Sequence, residues 1–143
     1  MKKIFSPLVS VIVTTYNRKE LLKETIYSIL DQTYQNFELI VVDNNSNYDF
    51  PKYMKSFNDD RIKAYQNQNN GVISVNRNFG IKKSNGEFIA FCDDDDVWLK
   101  NKLKKQIDFM FKNDFWGVSS SRILFGDIKS EIIPKIKNKI FDK

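Results

Sequence analysis

Two stretches, Leu8–Val13 (LVSVIV) and Leu39–Val42 (LIVV), are short, β-branched and almost unbroken in apolar character. A strand wetted on one side alternates apolar with polar; these do not, so each must be covered on both faces and reads as a central parallel strand. Between them, Asn17 with Glu20 three residues later reads as an N-cap and capping-box pair, and Leu22, Ile26, Ile29 and Leu30 recur at helical spacing. Ile62–Tyr65 reads as a further strand, Val72–Lys83 as a helix stopped by Asn85-Gly86, and Phe88–Phe91 as the strand after it. Such alternation predicts an α/β fold: a doubly wound, mostly parallel sheet flanked by helices, with right-handed crossovers. Lys100–Lys112 follows as an amphipathic helix on Leu103, Ile107, Phe109, Met110 and Phe111, and Trp116–Ser121 as a strand. Past residue 122, Ile123–Phe125 and Ile132–Ile133 have the composition of short strands. Lys135–Ile140 alternates enough for an edge strand and is basic enough for a frayed tail. The 143 residues fit one domain, 1–143.

Asp93, Asp94, Asp95 and Asp96 stand directly after the apolar run Phe88–Cys92, at the carboxyl end of what reads as a buried strand. Open α/β sheets bind their ligands there. Two carboxylates about 4 Å apart repel by roughly 4 kcal/mol at an effective dielectric near 20, so four can point together only if a cation gathers them. The run therefore points to a hard divalent metal. The bland alternative, a solvated acidic loop, is weakened by the apolar neighbours Phe91, Cys92, Val97, Trp98 and Leu99.

Composition removes whole classes of chemistry. There is no histidine, hence no imidazole base, no His-ligated zinc and no His-dependent triad. Cys92 is the single cysteine, so no internal disulfide forms and the thiol is expected to pack as a small hydrophobe. Residues 1–99 hold 12 Lys/Arg against 13 Asp/Glu, and residues 100–143 hold 11 against 5, so the net +5 comes from the last third. Those lysines punctuate an apolar helical pattern and do not interleave with aromatics as a nucleic-acid footprint would. No run is long enough for a membrane span and none reads as a signal peptide, so a cytoplasmic protein is expected, with its basic end able to touch an anionic membrane surface.

The loops leaving the strands are Thr14–Arg18, Asp43–Ser46, Gln66–Gly71 and the Asp quartet, each rich in groups that bind bases, riboses, phosphates or metal. Neither GxGxxG nor GxxxxGK[ST] occurs, which leaves phosphate to be held by metal and side chains. The quartet also fails as an EF-hand loop, because Val97 and Lys104 would fall on ligand positions. A receiver-like phosphotransfer domain, with Mg²⁺ held by acidic strand ends, is a rival of a different class. It lacks the expected Lys at a later strand end, where Arg122 follows Trp116–Ser121.

Five linked segments, Val9–Arg18, Ser28–Tyr34, Phe37–Ser46, Asn76–Ile81 and Gly86–Ile89 with Asp93–Asp96, resemble the family 2 glycosyltransferases of the GT-A fold in order and spacing from about Val9 to Leu103. The resemblance implies metal-dependent binding of a nucleotide-diphosphate sugar, most simply a UDP-sugar, for inverting transfer to an acceptor hydroxyl on a glycan or lipid-linked acceptor, in polysaccharide biosynthesis. It places Thr14 and Tyr16 in the nucleotide pocket, Tyr16 against the base, and makes Asp43 an acceptor for a base N–H. Arg77 either reaches toward the nucleotide-sugar or bridges its helix to the sheet. Asp93 and Asp95 match the DxD motif that holds ribose and Mn²⁺ or Mg²⁺. In the shifted register Asp94 takes the ribose role, and Asp95 is the metal ligand in both. The family's general base is a carboxylate in the acceptor half. After Leu103 this chain has Asp108, Asp114, Asp127, Glu131 and Asp142, none within that motif, so a chain truncated on the acceptor side, or a nucleotide-sugar-binding remnant without a base, is expected.

Overall fold

The computed structural model describes residues 6–120. Strands β1 (Val9–Thr15), β2 (Phe37–Asp43), β3 (Ile62–Gln66) and β4 (Phe88–Asp93) alternate with helices α1 (Lys19–Leu30), α2 (Phe50–Lys55) and α3 (Ile73–Lys83), and α4 (Lys102–Asn113) follows. Every strand pairing is parallel and the order is β3-β2-β1-β4. That is the order of nucleotide-binding doubly wound sheets; receiver-like folds run 2-1-3-4-5. The order reverses between β1 and β4, so the crevice outside their carboxyl ends is where this architecture seats a ligand.

Both faces of β1 and β2 are covered, as their unbroken apolar runs require. Ile12, Ile40 and Val42 pack with Tyr65 and with Phe79 of α3 on one face. The helix comes so close that a Cβ at Gly80 would lie 2.6 Å from Ile12 Cγ2, which excludes any larger residue there without a shift. Side chains alternate along a strand, so Val11, Val13, Leu39 and Val41 point to the opposite face. The stripe Leu22, Ile26 and Ile29 of α1 is fully buried, each side chain contributing roughly 1.5–3 kcal/mol. The sheet and α1–α3 lie within residues 1–102. Helix α4 runs into a second packing unit that starts at Leu103, where Leu103, Ile107 and Met110 form its buried stripe.

Three expectations need correction. Asn17 does not cap α1: it adopts φ +53, Arg18 takes the N-cap position without a side-chain bond, and the Asn17 amide oxygen accepts from Asn47 N–H at 2.8 Å. Asn tolerates the left-handed region because its short side chain can bond locally, and here it bonds to the neighbouring loop. Strand β4 is not buried on both faces; among the described residues it stands at the edge of the sheet, with Ile89 and Phe91 exposed. Trp116–Ser120 pairs with no strand among the described residues, and Trp116 is 87% exposed. Ser121 and the segments past 122 lie outside the described residues. Helix α2 is too short, at 6 residues, to show a periodicity. Its signal is local: Asp49 accepts from Lys52 N–H at 3.0 Å, with a proline in the first turn.

At the amino ends of the strands a polar group sits where apolar packing is the rule. Glu38 of β2 is 5% exposed and accepts from Ser10 Oγ of β1, Lys63 Nζ of β3 at 2.6 Å and the Asn85 N–H at 2.6 Å, just before β4. Gly86 N–H in turn donates to Ser10 Oγ at 2.8 Å, and a Cβ on Gly86 would lie 2.6 Å from Ser10 N. Burial pushes the Glu38 carboxyl up, but the Asn85 N–H, Lys63 and Ser10 together outweigh it and hold the group at about 2.

Because the folded carboxyl lies below its ordinary 4.5, its stabilisation is full above pH 4.5 and is lost as pH falls toward 2. At neutral pH this is worth on the order of 3 kcal/mol. Glu38→Gln should lower the urea midpoint at pH 7 and flatten the fall in stability between pH 4.5 and 2.5. Parallel acid profiles of variant and parent would show Glu38 to be uninvolved.

Candidate functional site

Parallel register decides which side chains meet at the carboxyl edge. Gln66, Asp43 and Thr15 lie level across β3, β2 and β1, and Val42, Thr14 and Asp93 lie level across β2, β1 and β4. Asparagines then shape the loops, with Asn17, Asn45 and Asn70 all at positive φ and Gly71 at +80. The first two loops are cross-bonded, since Asn17 N–H donates to Ser46 Oγ at 2.8 Å and Asn44 N–H to Thr15 O at 2.9 Å. The third joins them through Asn69 N–H on Asn44 Oδ1 at 2.7 Å and Asn67 N–H on Asp43 O at 2.9 Å. Asn67 Nδ2 also donates to the buried Asn76 of α3 at 2.7 Å.

Asp43 is wholly buried at the centre of this weave. Its Oδ2 accepts from Ser46 N–H at 2.9 Å and Gln66 Nε2 at 3.2 Å, and its Oδ1 accepts from Ser46 Oγ. A carboxylate has about four acceptor sites, so one is left, on Oδ1. Burial, and after it the nearby Asp43 carboxylate, raises the Tyr48 hydroxyl above its ordinary 10.0. Tyr16 is 54% exposed beside these loops and Thr14 is half-buried at the end of β1.

The four do not share one partner: Arg77 Nη2 of α3 pairs with Asp93 Oδ1 at 2.6 Å, whereas Arg18 Nη1 draws Asp94 Oδ1 and Asp95 Oδ2 together, 3.1 Å from each. Asp94 is 5% exposed and spends its other oxygen on Thr15 Oγ1 at 2.7 Å. Asp96 N–H closes a turn onto Asp93 O at 3.1 Å. The premise that a metal cation must gather all four carboxylates is therefore corrected, because two guanidinium groups already offset Asp93, Asp94 and Asp95. Thr15, Arg18 and Ser46 are the site residues that sequence reasoning missed. The legible signal for Arg18 was a lone cation in the loop facing the quartet, and for Ser46 its place three residues after Asp43, where a side-chain-to-backbone turn forms locally; the Thr15–Asp94 bond spans 79 positions and has no local signal.

A hard divalent cation still suits the donor chemistry. Asp93 and Asp95 retain about half their side-chain exposure, 56% and 48%. Mg²⁺ is commonly held by one or two carboxylates together with substrate phosphates and water, and needs no protein cage. Cys92 is a poor nucleophile here, since burial pushes its thiol well above 9.0. Of the downstream carboxylates, Asp108 pairs with Lys104 at 3.0 Å one turn earlier, and Asp127, Glu131 and Asp142 lie outside the described residues.

A parallel sheet of order 3-2-1-4 with carboxylates and loop asparagines at its switch point defines an α/β fold of the GT-A type. Residues 10–142 match the profile of Glycosyl transferase family 2, and the chain belongs to that family. Among its relatives is the Escherichia coli UDP-Glc:alpha-D-GlcNAc-diphosphoundecaprenol beta-1,3-glucosyltransferase WfgD, 41% identical over 107 residues, covering 75% of this chain and 42% of that protein. Another is the putative teichuronic acid biosynthesis glycosyltransferase TuaG of Bacillus subtilis, 36% identical over 110 residues, covering 76% of this chain and 44% of that protein. Among solved structures, S. aureus TarS 1-349 in complex with UDP-GlcNAc superposes with a TM-score of 0.71 at 28% identity, over 89% of this chain and 37% of that 1-349 chain. The chain thus spans less than half the length of these relatives.

The weave makes Asp43 structural whatever else it does. Asp43→Ala would remove the acceptor that the half-buried Ser46 N–H and the exposed Gln66 amide share; Gln66 can turn to water, so the cost is that of the Ser46 bonds, about 1 kcal/mol. A lowered melting temperature is expected, with Asp43→Asn closer to the parent because it keeps an acceptor oxygen. Equal melting of parent and Asp43→Ala would show that the loops fold without the carboxylate.

Proposed function

We propose that the chain is the donor-binding part of a family 2 glycosyltransferase that takes a UDP-sugar with Mn²⁺ or Mg²⁺ and serves inverting transfer to an acceptor hydroxyl, glycan or lipid-linked, at the cytoplasmic side. One observation carries the reading: Asp43 and the Asp93–Asp95 carboxylates stand on either side of Thr14 and Thr15 at the β1/β4 switch point. Support for the donor class comes from TarS, solved with UDP and with UDP-GlcNAc, and from the UDP-Glc donor in the name of WfgD. The latter name also specifies a diphosphoundecaprenol acceptor, which supports the lipid-linked class.

In this reading each side chain has a defined task. Tyr16 offers an exposed ring for the base to stack on, and Thr14 lines the pocket wall. Asp43 receives the base imide N–H at the acceptor site left on Oδ1, beside its bonds from Ser46 and Gln66. A carboxylate selects an imide, which donates, over a base edge that only accepts. Asp94, or Asp93, takes the ribose hydroxyls, and Asp95 with Asp93 holds the cation. Arg77, already on Asp93, stands where it can meet the diphosphate as well as tie α3 to β4. The cation supplies Lewis acidity to the departing diphosphate. No general base is assigned among the described residues, so deprotonation of the acceptor is left to a carboxylate of the acceptor side.

Isothermal titration of UDP into the chain should show at least about tenfold tighter binding with Mn²⁺ than in EDTA, equivalent to ~1.4 kcal/mol. Asp95→Asn should erase most of that difference while leaving EDTA-state binding in place. Equal affinity with and without metal would remove the cation from the reading.

A further inference from the structure

Arg18 is fixed at its backbone and divided at its side chain. Its carbonyl accepts the first bond of α1, from Leu22 N–H at 2.9 Å, so its Cα cannot wander. Its Nη1 carries two hydrogens and lies 3.1 Å from Asp94 Oδ1 and 3.1 Å from Asp95 Oδ2. The two partners differ in kind. The Asp94 side chain is 7% exposed and its second oxygen is committed to Thr15 Oγ1, so losing the arginine would leave a buried charge without its cation. The Asp95 side chain is 48% exposed, has water as an alternative partner, and so yields its half of the contact readily.

We infer that Arg18 is an internal counter-cation for Asp95 in the metal-free site, holding the Asp94–Asp95 pair in place and ceding Asp95 to a divalent cation while keeping Asp94. The inference rests on the donor-site reading above and adds a positioning residue to it. A guanidinium on Asp95 does two things before metal arrives. It suppresses the repulsion between adjacent carboxylates that would splay the turn, and it competes with free metal for the ligand. Metal alone is then held weakly. A cation accompanied by a diphosphate brings further ligands and displaces Arg18 from Asp95, leaving part of the guanidinium's donor fork open to the added negative charge. Arg77 on Asp93 does not substitute for this, because it comes from α3 and touches neither Asp94 nor Asp95 in the bonds it makes there.

The test is Mn²⁺ binding to the full chain, followed by the loss of the free-ion EPR signal, with and without UDP. Arg18→Gln should tighten Mn²⁺ binding without UDP two- to fivefold and reduce the extent to which UDP and Mn²⁺ strengthen each other's binding. Arg18→Lys should return toward the parent, since it restores the charge. Weaker or unchanged Mn²⁺ affinity in a folded Arg18→Gln would overturn the inference, leaving Arg18 a support for Asp94 alone. A second readout needs no Arg18 variant. In the parent, the Arg18 side-chain Nε–H resonance should move on saturation with Mg²⁺ and UDP, and Asp95→Asn in EDTA should reproduce the part of the movement due to losing that carboxylate. A resonance indifferent to both overturns the inference, whereas a parent that binds no Mn²⁺ even with UDP overturns the donor-site reading and the inference with it.

Discussion

Among the described residues, Glu38 is a buried carboxylate tied to β1, to β3 and to the turn that leads into β4. It stands on β2, receives bonds from Ser10 of β1 and Lys63 of β3, and catches the Asn85 N–H where the chain turns into β4. Parallel strands come from distant parts of the chain and have no hairpin to set their register. A charge that must be satisfied by three separate segments at once sets it for them, because a slip by one residue would leave a buried carboxylate without partners. Gly86 belongs to the same device, since the turn into β4 passes so close to Ser10 that no side chain fits.

Register fixed at the amino ends is delivered at the carboxyl ends, where the site is. Asp43 meets Gln66 because those positions are level across the sheet, and Thr15 meets Asp94 one residue past the last level pair of β1 and β4, Thr14 and Asp93. The two ends follow opposite electrostatic designs. The Glu38 side chain is itself buried among neutral donors and one lysine, whereas Asp93, Asp94 and Asp95 are shared between two half-exposed arginines whose contacts with Asp93 and Asp95 would, in the proposed reading, be traded for a cation. A sealed charge stabilises; a shared one can respond to a ligand.

Much of this was legible in the residues. The unbroken runs around Val11 and Val41 reported strands covered on both faces, and the loops at Thr14–Arg18, Asp43–Ser46 and Asp93–Asp96 were correctly placed on one edge. Asn17 misled because Asn followed by Glu three positions later has the composition of a cap, while its actual bond runs to Asn47 in another loop. The run Phe88–Cys92 misled in a related way: apolar residues of an edge strand look the same in sequence as those of a central one, and only strand order separates them. Asp43, a base acceptor by resemblance, is the centre of its loops in the structure: the bond from Ser46, three positions on, is local, but that from Gln66, 23 positions on, needed the pairing of β2 with β3.

By itself the sequence determined the alternation of strand and helix, the absence of imidazole and disulfide chemistry, and the gathering of carboxylates at strand ends, because these depend only on local periodicity and residue type. The tertiary structure alone decided the order 3-2-1-4, and with it the switch point at β1 and β4. It alone decided the partners of each aspartate too. Four consecutive carboxylates are chemically identical along the chain. Three of them became one bound to Arg77, one buried against Thr15, and one left half-open on Arg18 only when segments 16 to 79 residues apart were brought within hydrogen-bond reach.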